Sequence, residues 1–309
     1  MSNKTNITEL PTVEGVAKDD LLIIQSNNIT STIKFEDFVL GPDNASFYQT
    51  ILDSKASTDT LAGASLSSIN TVIELSAANP GFTGNKSLVY AKERTTGAGT
   101  ETGGLFMFDH GETTADNGGT IIDPTSAAVT GRWKRINYDY IDPRWFGAST
   151  TNSDNSSYLQ SAIDYSTSTG VHKPVKIPNG IFNTKPVSAG TGAHITGSAN
   201  SVLQAVAGYA PGGSFTGSIY VTGDNAIIEN LEIIGLYNNN FAQSNITVYD
   251  CNDVTIRNCR VQSASGNGIV LLNTQRCKVS DNLVYRSAGN GIAVHSYNEA
   301  VSWDNTGSG

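Results

Sequence analysis

The sequence predicts a mainly β chain that ends in a parallel β-solenoid, and three observations carry that expectation. First, the phrase GNGIVLLNTQRCKVSDN at Gly266–Asn282 returns as GNGIAVHSYNEAVSWDN at Gly289–Asn305, a shift of 23 positions (289 minus 266). Second, four columns of residues keep that step: Ile246, Ile269 and Ile292; Val248, Leu271 and Val294; Val254, Cys277 and Ala300; Ile256, Val279 and Ser302. Third, charged residues make up only 15% of the chain, Gly contributes 31 residues, and Ser, Thr and Asn crowd nearly every segment. Such a composition suits turns and stacked short strands better than long helices.

A solenoid explains the repeat because strands of successive coils lie about 4.8 Å apart, so like residues stack on like. Two or three short alternating segments per period fit this plan. Alternation sends Ile246, Val248, Val254 and Ile256 with their counterparts inward and the residues between them outward. Asn245, Gly268 and Gly291 form one turn column; these residue types accept positive φ most readily, so a left-handed corner is expected there. Asn258, Asp281 and Asp304 form a second column, and Cys259, Asn282 and Asn305 a third, where Asn and Asp can hydrogen-bond turn backbone of their own coil and the next. One row upstream, the step from Ile219 to Ile246 is 27, and the extra residues are assigned to the loop LYNNNFAQ.

Four segments are expected. Residues 1–42 read as a hairpin module, with strands at Leu21–Gln25 and Thr30–Lys34 around Ser26-Asn27-Asn28. Residues 43–75 read as a helix or coil linker, since Phe47, Ile51 and Leu52 take helical spacing after Asp43 and Asn44. Residues 76–141 read as a β-rich module with apolar islands at Ser87–Ala91, Leu105–Phe108, Gly119–Ile122 and Arg132–Ile136. In the last of these Trp133 and Ile136 are expected to pack inward. Residues 142–309 read as the solenoid, opened by a helix over Ser156–Tyr165 with Asp154–Ser156 as capping candidates and Leu159, Ala162 and Ile163 on one face.

The formal net charge of −9 argues against gripping nucleic acid through its phosphates, and equally against an anionic membrane surface. No apolar run approaches the roughly 20 residues of a membrane span, and MSNKTNITELPTVEG has no secretory apolar core, so synthesis in a cytoplasm is expected. Cys251, Cys259 and Cys277 lack metal-ligand or disulfide spacing and read as buried thiols. His110, His172, His194 and His295 are dispersed, so no metal and no cofactor is assigned. The acidic residues of the repeat region are Asp224, Glu229, Glu232, Asp250, Asp253, Asp281, Glu299 and Asp304. Asp281 and Asp304 share a corner column and read as turn formers, and no catalytic set can be named. Tyr249, Leu272 and His295 share an outward column, and Trp303 shares another with Arg257 and Ser280. Outward aromatic residues either stack on sugars or pack against a neighbouring subunit; Leu272 offers no sugar chemistry, which favours subunit packing.

Three further motifs point to a family. IDPRWFGAS, then a helix containing LQSAID, then VKIPNGIF, resembles the entry to the pectate-lyase-like right-handed β-helix of bacteriophage tailspikes. There the helix caps the open end of the β-helix, which would otherwise present unpaired strand edges. GLFMFDHGETTADNGGTIIDPTSAAVTGRWKRI is similar to a module that precedes such an entry in phage tail proteins, and the first 40 residues are similar to short phage adaptor modules. The resemblance implies a homotrimer in the phage virion, attached to tail, baseplate or adaptor proteins through residues 1–141 and used against host surface polysaccharide. It also implies an alternative, a polysaccharide depolymerase with catalytic residues on later coils. Members of the family continue for many more coils and end in a trimerisation region. About six coils are expected here, ending at Asn305-Thr-Gly-Ser-Gly, so the chain is expected to be the N-terminal part of a longer spike.

Overall fold

A computed structural model describes residues 21–26, 29–34, 66–77, 88–125, 130–168, 170–206, 217–237 and 243–295. The chain forms two compact units, Met1–Gly63 and Ala64–Gly309. In the first, Leu21–Ser26 pairs antiparallel with Ile29–Lys34, with Leu21 opposite Lys34 and Ser26 opposite Ile29. This is the expected hairpin. The helix expected around Phe47, Ile51 and Leu52 lies outside the described residues.

The second unit begins with a five-stranded sheet ordered Leu66–Thr71, Leu88–Glu93, Gly104–Asp109, Arg132–Arg135 and Ile121–Ile122. Its first pair is parallel and the rest are antiparallel. The strand Leu66–Thr71 falls inside the segment 43–75 that the sequence suggested as helix or coil, so this neck sheet starts within it. Alternation buries Val89 and Ala91, Phe106 and Phe108, and the core closes with Val72, Leu75, Ile122 and Trp133. The Trp133 ring meets Phe108 edge-on at 5.1 Å between centroids.

Trp133 is buried as expected, but its inward partner is Arg135 and not Ile136. The period-2 geometry of a strand puts 133 and 135 on one face and 136 on the other. Arg135 is therefore a buried charge, and its surroundings are built for it. Its Nε donates to Gly119 O at 3.1 Å, Nη2 to Thr102 O at 3.2 Å, and Nη1 to Gly103 O. The guanidinium also lies over the Phe106 ring at 4.6 Å and the Trp145 ring at 4.3 Å. Burial pulls its pKa below the usual arginine value, with Asp142 acting in the opposite sense.

Trp145 belongs to the turn that leads into the second element of the unit, so Arg135 sits across the joint. Other contacts span the same joint. Arg144 binds Asp142 and Glu101, each at 2.6 Å, and Trp145 Nε1 donates to Glu101 O at 3.3 Å. Ile141 bridges Val175, so the chain is already in strand register with the first coil before the capping helix begins.

Beyond the joint, three parallel five-stranded sheets form five coils among the described residues. Sheet A stacks Val187–Ala189, Gly217–Val221, Ser244–Tyr249, Ile269–Leu272 and Ile292–His295. Sheet B stacks Val175–Ile177, His194–Gly197, Ile227–Glu229, Thr255–Arg257 and Lys278–Ser280. Sheet C stacks Gly180–Thr184, Ser201–Ala205, Glu232–Ile234, Arg260–Gln262 and Leu283–Tyr285. In sheet A the columns Val187, Ile219, Ile246, Ile269, Ile292 and Ala189, Val221, Val248, Leu271, Val294 are in register. Sheet B contributes Val175, Ile195, Ile228, Ile256 and Val279; sheet C contributes Phe182, Leu203, Ile233, Val261 and Val284. All of these columns pack into one core. The expected positions Ala300, Ser302, Asp304 and Asn305 lie outside the described residues.

Insertions leave this core undisturbed. Ile234 to Ile246 is 12 positions where the aligned Gln262 to Ile269 is 7, so five extra residues fall between sheets C and A, in the expected loop.

The corners differ from expectation. Asn245, Gly268 and Gly291 do not have positive φ. The left-handed residues stack instead as Asn225, Asp253, Arg276; Asn230, Asn258, Asp281; Asp250, Asn273; and Ser263, Arg286. Gly268 is needed for closeness, because a Cβ there would stand 2.3 Å from Val284 Cγ1 and 2.6 Å from Gly291 O. Asn245 is buried, and its Nδ2 donates to Gln262 O at 2.7 Å and Ile233 O at 3.3 Å, tying two coils together. The third column behaves as expected: Asn282 Oδ1 accepts from Cys259 N and its Nδ2 donates to Ile256 O, both at 2.9 Å. Cys251 and Cys259 are buried free thiols, and burial pushes each up to about 11.

The capping helix runs Ser156–Thr167, with Leu159, Ala162 and Ile163 buried against the first coils. Asp154 Oδ1 accepts from Ser156 N at 2.9 Å, and Lys185 pairs with Asp154 at 2.9 Å. Gln160 binds the Ser188 backbone at both N–H and C=O, which fixes the helix to sheet A.

Candidate functional site

A packed interior leaves the outer faces of the three sheets and the corners to meet other molecules. On sheet A the predicted residues Tyr249, Leu272 and His295 do align in one column, two coils apart end to end. Tyr249 is 45% exposed and stacks with Tyr220 at 6.3 Å between ring centroids, and His295 is exposed. Leu272 is different. It points away from the solenoid interior yet is only 8% exposed, clustered with Val270 and Ala293. Leu272 is thus covered within a single chain, and only Tyr249 and His295 of this column present surface. Trp303 lies outside the described residues, while its expected column partners Arg257 and Ser280 are in register.

Corner carboxylates are committed to the backbone and to their neighbours. Asp224 Oδ1 accepts from Asn252 N at 2.7 Å, Asp250 accepts from Asn273 Nδ2 at 2.6 Å, and Arg276 holds Asp253 through Nε at 2.8 Å and Nη2 at 2.7 Å. Asp281 has φ 58°, in keeping with the turn role read for it. On sheet C, Glu232 accepts from Gln262 Nε2 at 2.5 Å.

Sheet B carries the cluster that sequence reasoning missed. Its outward positions form two columns: Lys176, Thr196, Glu229, Arg257, Ser280, and His194, Ile227, Thr255, Lys278. Glu229 is the one carboxylate among them. Its Oε1 is 2.8 Å from His194 Nε2, and its Oε2 accepts from Arg257 Nε at 2.6 Å. Burial pushes the Glu229 pKa up, but the hydrogen bonds from His194 and Arg257 prevail and hold it below the usual carboxylate value. A carboxylate held in this way stays ionised and fixes the imidazole and the guanidinium on the surface beside it. Among the described residues, no second carboxylate stands on this face to form an acid–base pair with it.

The family is decided by the match of residues 146–306 to the right handed beta helix region family. The chain belongs to the right-handed β-helix family. Upstream of its β-helix, residues 68–138 match the phage tail protein small four-stranded beta-sheet domain; the sheet here has five strands, with the two-residue Ile121–Ile122 at one edge. Among solved structures, this β-helix protein is similar to the enzymatically active domain of tailspike protein 4 of bacteriophage CBA120, at 14% identity and TM-score 0.52, covering 79% of this chain and 35% of that one. It is also similar to the enzymatically active domain of tailspike protein 2 of the same phage, at 17% identity and TM-score 0.38, covering 80% and 49%. A third is tailspike protein gp49 of Acinetobacter baumannii bacteriophage Fri1, a capsular polysaccharide depolymerase, at 14% identity and TM-score 0.44, covering 74% and 62%. The β-helix protein therefore spans less than two thirds of the length of each of these chains, and at such identities the likeness is one of fold. No curated protein matches its sequence. Among the described residues, no helix is long and apolar enough to cross a membrane.

Proposed function

We propose that the chain is the tail-proximal part of a phage tailspike or tail fibre. Residues 1–141 attach it to tail, baseplate or adaptor proteins, and the β-helix begins the portion that meets polysaccharide on the host surface. In this reading it acts in the virion as a homotrimer. One observation carries the proposal: a sheet matched to phage tail proteins joins a capped right-handed β-helix within one compact unit. The contacts of Arg135, Arg144 and Ile141 across that joint suit a base that holds a receptor-facing column in a fixed direction.

The test combines mass and attachment. Light scattering on the purified chain is expected to give three copies per particle, and the protein is expected to co-sediment with tails stripped of their spikes. A stable monomer that leaves such tails bare overturns the proposal. The second reading, a polysaccharide depolymerase, draws on Glu229 held between an imidazole and a guanidinium on an outer face. It predicts reducing ends or unsaturated sugars released from host capsule or lipopolysaccharide, and an inert preparation removes it.

A further inference from the structure

The proposed function leaves open which chemistry on the host surface the β-helix meets, and charge is distributed unevenly enough over its faces to answer. The chain carries a formal charge of −9. Along the coils, however, the described acidic residues other than Glu229 sit at corners or on sheet C. Sheet B is the opposite. Its outward columns place Lys176 on the first coil, Arg257 on the fourth and Lys278 on the fifth. At about 4.8 Å per coil, these three cations extend over roughly 19 Å in two adjacent columns.

The one carboxylate on this strip is already matched, since Glu229 is buried and bound by both His194 and Arg257. Arg257 uses only its Nε for that bond, and its side chain is 49% exposed, so the outer nitrogens of the guanidinium face solvent. Lys176 and Lys278 are exposed. The Lys176 ammonium lies 4.9 Å from the centroid of the Tyr140 ring, and Tyr140 is itself 39% exposed. The ring is also stacked on Trp145 at 6.2 Å between centroids, so it holds the Lys176 ammonium in place at the neck end of the sheet. Thr196, Thr255 and Ser280 fill intervening positions with hydroxyls, and Ile227 fills another with an apolar side chain.

Resting on the reading of the β-helix as the part that meets host polysaccharide, we infer that the outer face of sheet B is a binding strip for an anionic polysaccharide. Lys176, Arg257 and Lys278 contact its acidic groups, with Lys176 steadied over the Tyr140 ring at the end nearest the neck. Glu229 holds Arg257 in place and is a positioning residue. Exposed charge of this kind is screened by salt, so the affinity is strongly ionic-strength dependent.

Polygalacturonate immobilised on a sensor is the probe, compared with the same polymer after carboxyl reduction and with polyphosphate. The whole chain is expected to bind polygalacturonate, to ignore the reduced polymer, and to be released in ~0.5 M NaCl, where the screening length falls to about 4 Å. The exposed-site double variant K176S/K278S is expected to bind about tenfold more weakly, while Arg276→Ser, at a corner, leaves binding unchanged. Equal binding to the carboxyl-reduced polymer, or undiminished binding by K176S/K278S, overturns the strip while leaving polysaccharide contact by the β-helix intact. Equal binding to polyphosphate overturns the assignment to a glycan. No binding to any probe by a chain that still trimerises and sediments with tails overturns this inference alone.

Discussion

The neck sheet and the β-helix are both built from short strands, yet they reach a buried core by different means. In the β-helix each interior residue is covered by its counterpart one coil on, as Ile246 is by Ile219 and Ile269. The core is one contact repeated, and the loss of any single member leaves the others stacked. In the neck no residue has a counterpart. Phe106, Phe108 and Trp133 each fill a unique space, and the face is closed by Arg135, whose three carbonyl partners come from two different loops. A periodic interior spreads its stability; an aperiodic one concentrates it.

Stability measurements can break this contrast, and the largest effect is expected at Arg135. Arg135→Met keeps the volume but leaves three buried carbonyls without a donor, so a loss of about 3–5 kcal/mol in denaturant unfolding is expected. Ile256→Val, in the middle of the β-helix, should cost only about 1 kcal/mol. If the two losses were equal, the distinction between concentrated and distributed cores would fail. A middle-sized effect belongs to Gly268→Ala. The added methyl would meet Val284 Cγ1 and Gly291 O, and about 1–3 kcal/mol is expected from forcing two coils apart.

The smallest effect sharpens the contrast at the boundary, where the helix seals the first coil. Burial opposes ionisation of Asp154, but its bonds to Ser156 and Lys185 hold the carboxyl at about 2 against 3.8 for an ordinary aspartate. The folded value is the lower one, so this contribution is complete above about pH 4 and fades as pH falls towards 2. Melting temperature should therefore decline over that window. Asp154→Asn should flatten the decline and lower stability near neutral pH by roughly 1 kcal/mol.

The two regions also differ in how far they could be read beforehand. The β-helix columns were legible because the last coils keep one length, and a fixed step reveals register without coordinates. Sheet B shows where that stops working. His194 aligns with Ile227, 33 positions on; Ile227 with Thr255, 28 on; and Thr255 with Lys278, 23 on. Because coil length changes through loop insertions, no constant period brings His194 and Glu229 together, and the pair went unseen. The corner at Gly268 was misread for another reason: Gly serves both positive φ and close approach, and only packing against Val284 distinguishes them. In the neck, Trp133 and Ile136 were paired at a spacing of three, which a strand places on opposite faces. The pattern that correctly pairs 133 with 135 put a charge inside, and no local signal announces that Thr102, Gly103 and Gly119 will turn their carbonyls towards it.

The seam at Arg135 has a mechanical meaning. Its guanidinium is bonded to the neck and lies on Trp145, Arg144 reaches back to Glu101, and Ile141 already runs beside Val175. Fastened at so many points, the seam contains no swivel. Any torque applied to the coils is thus met by these contacts and carried into the five-stranded sheet, which stands in place of a hinge.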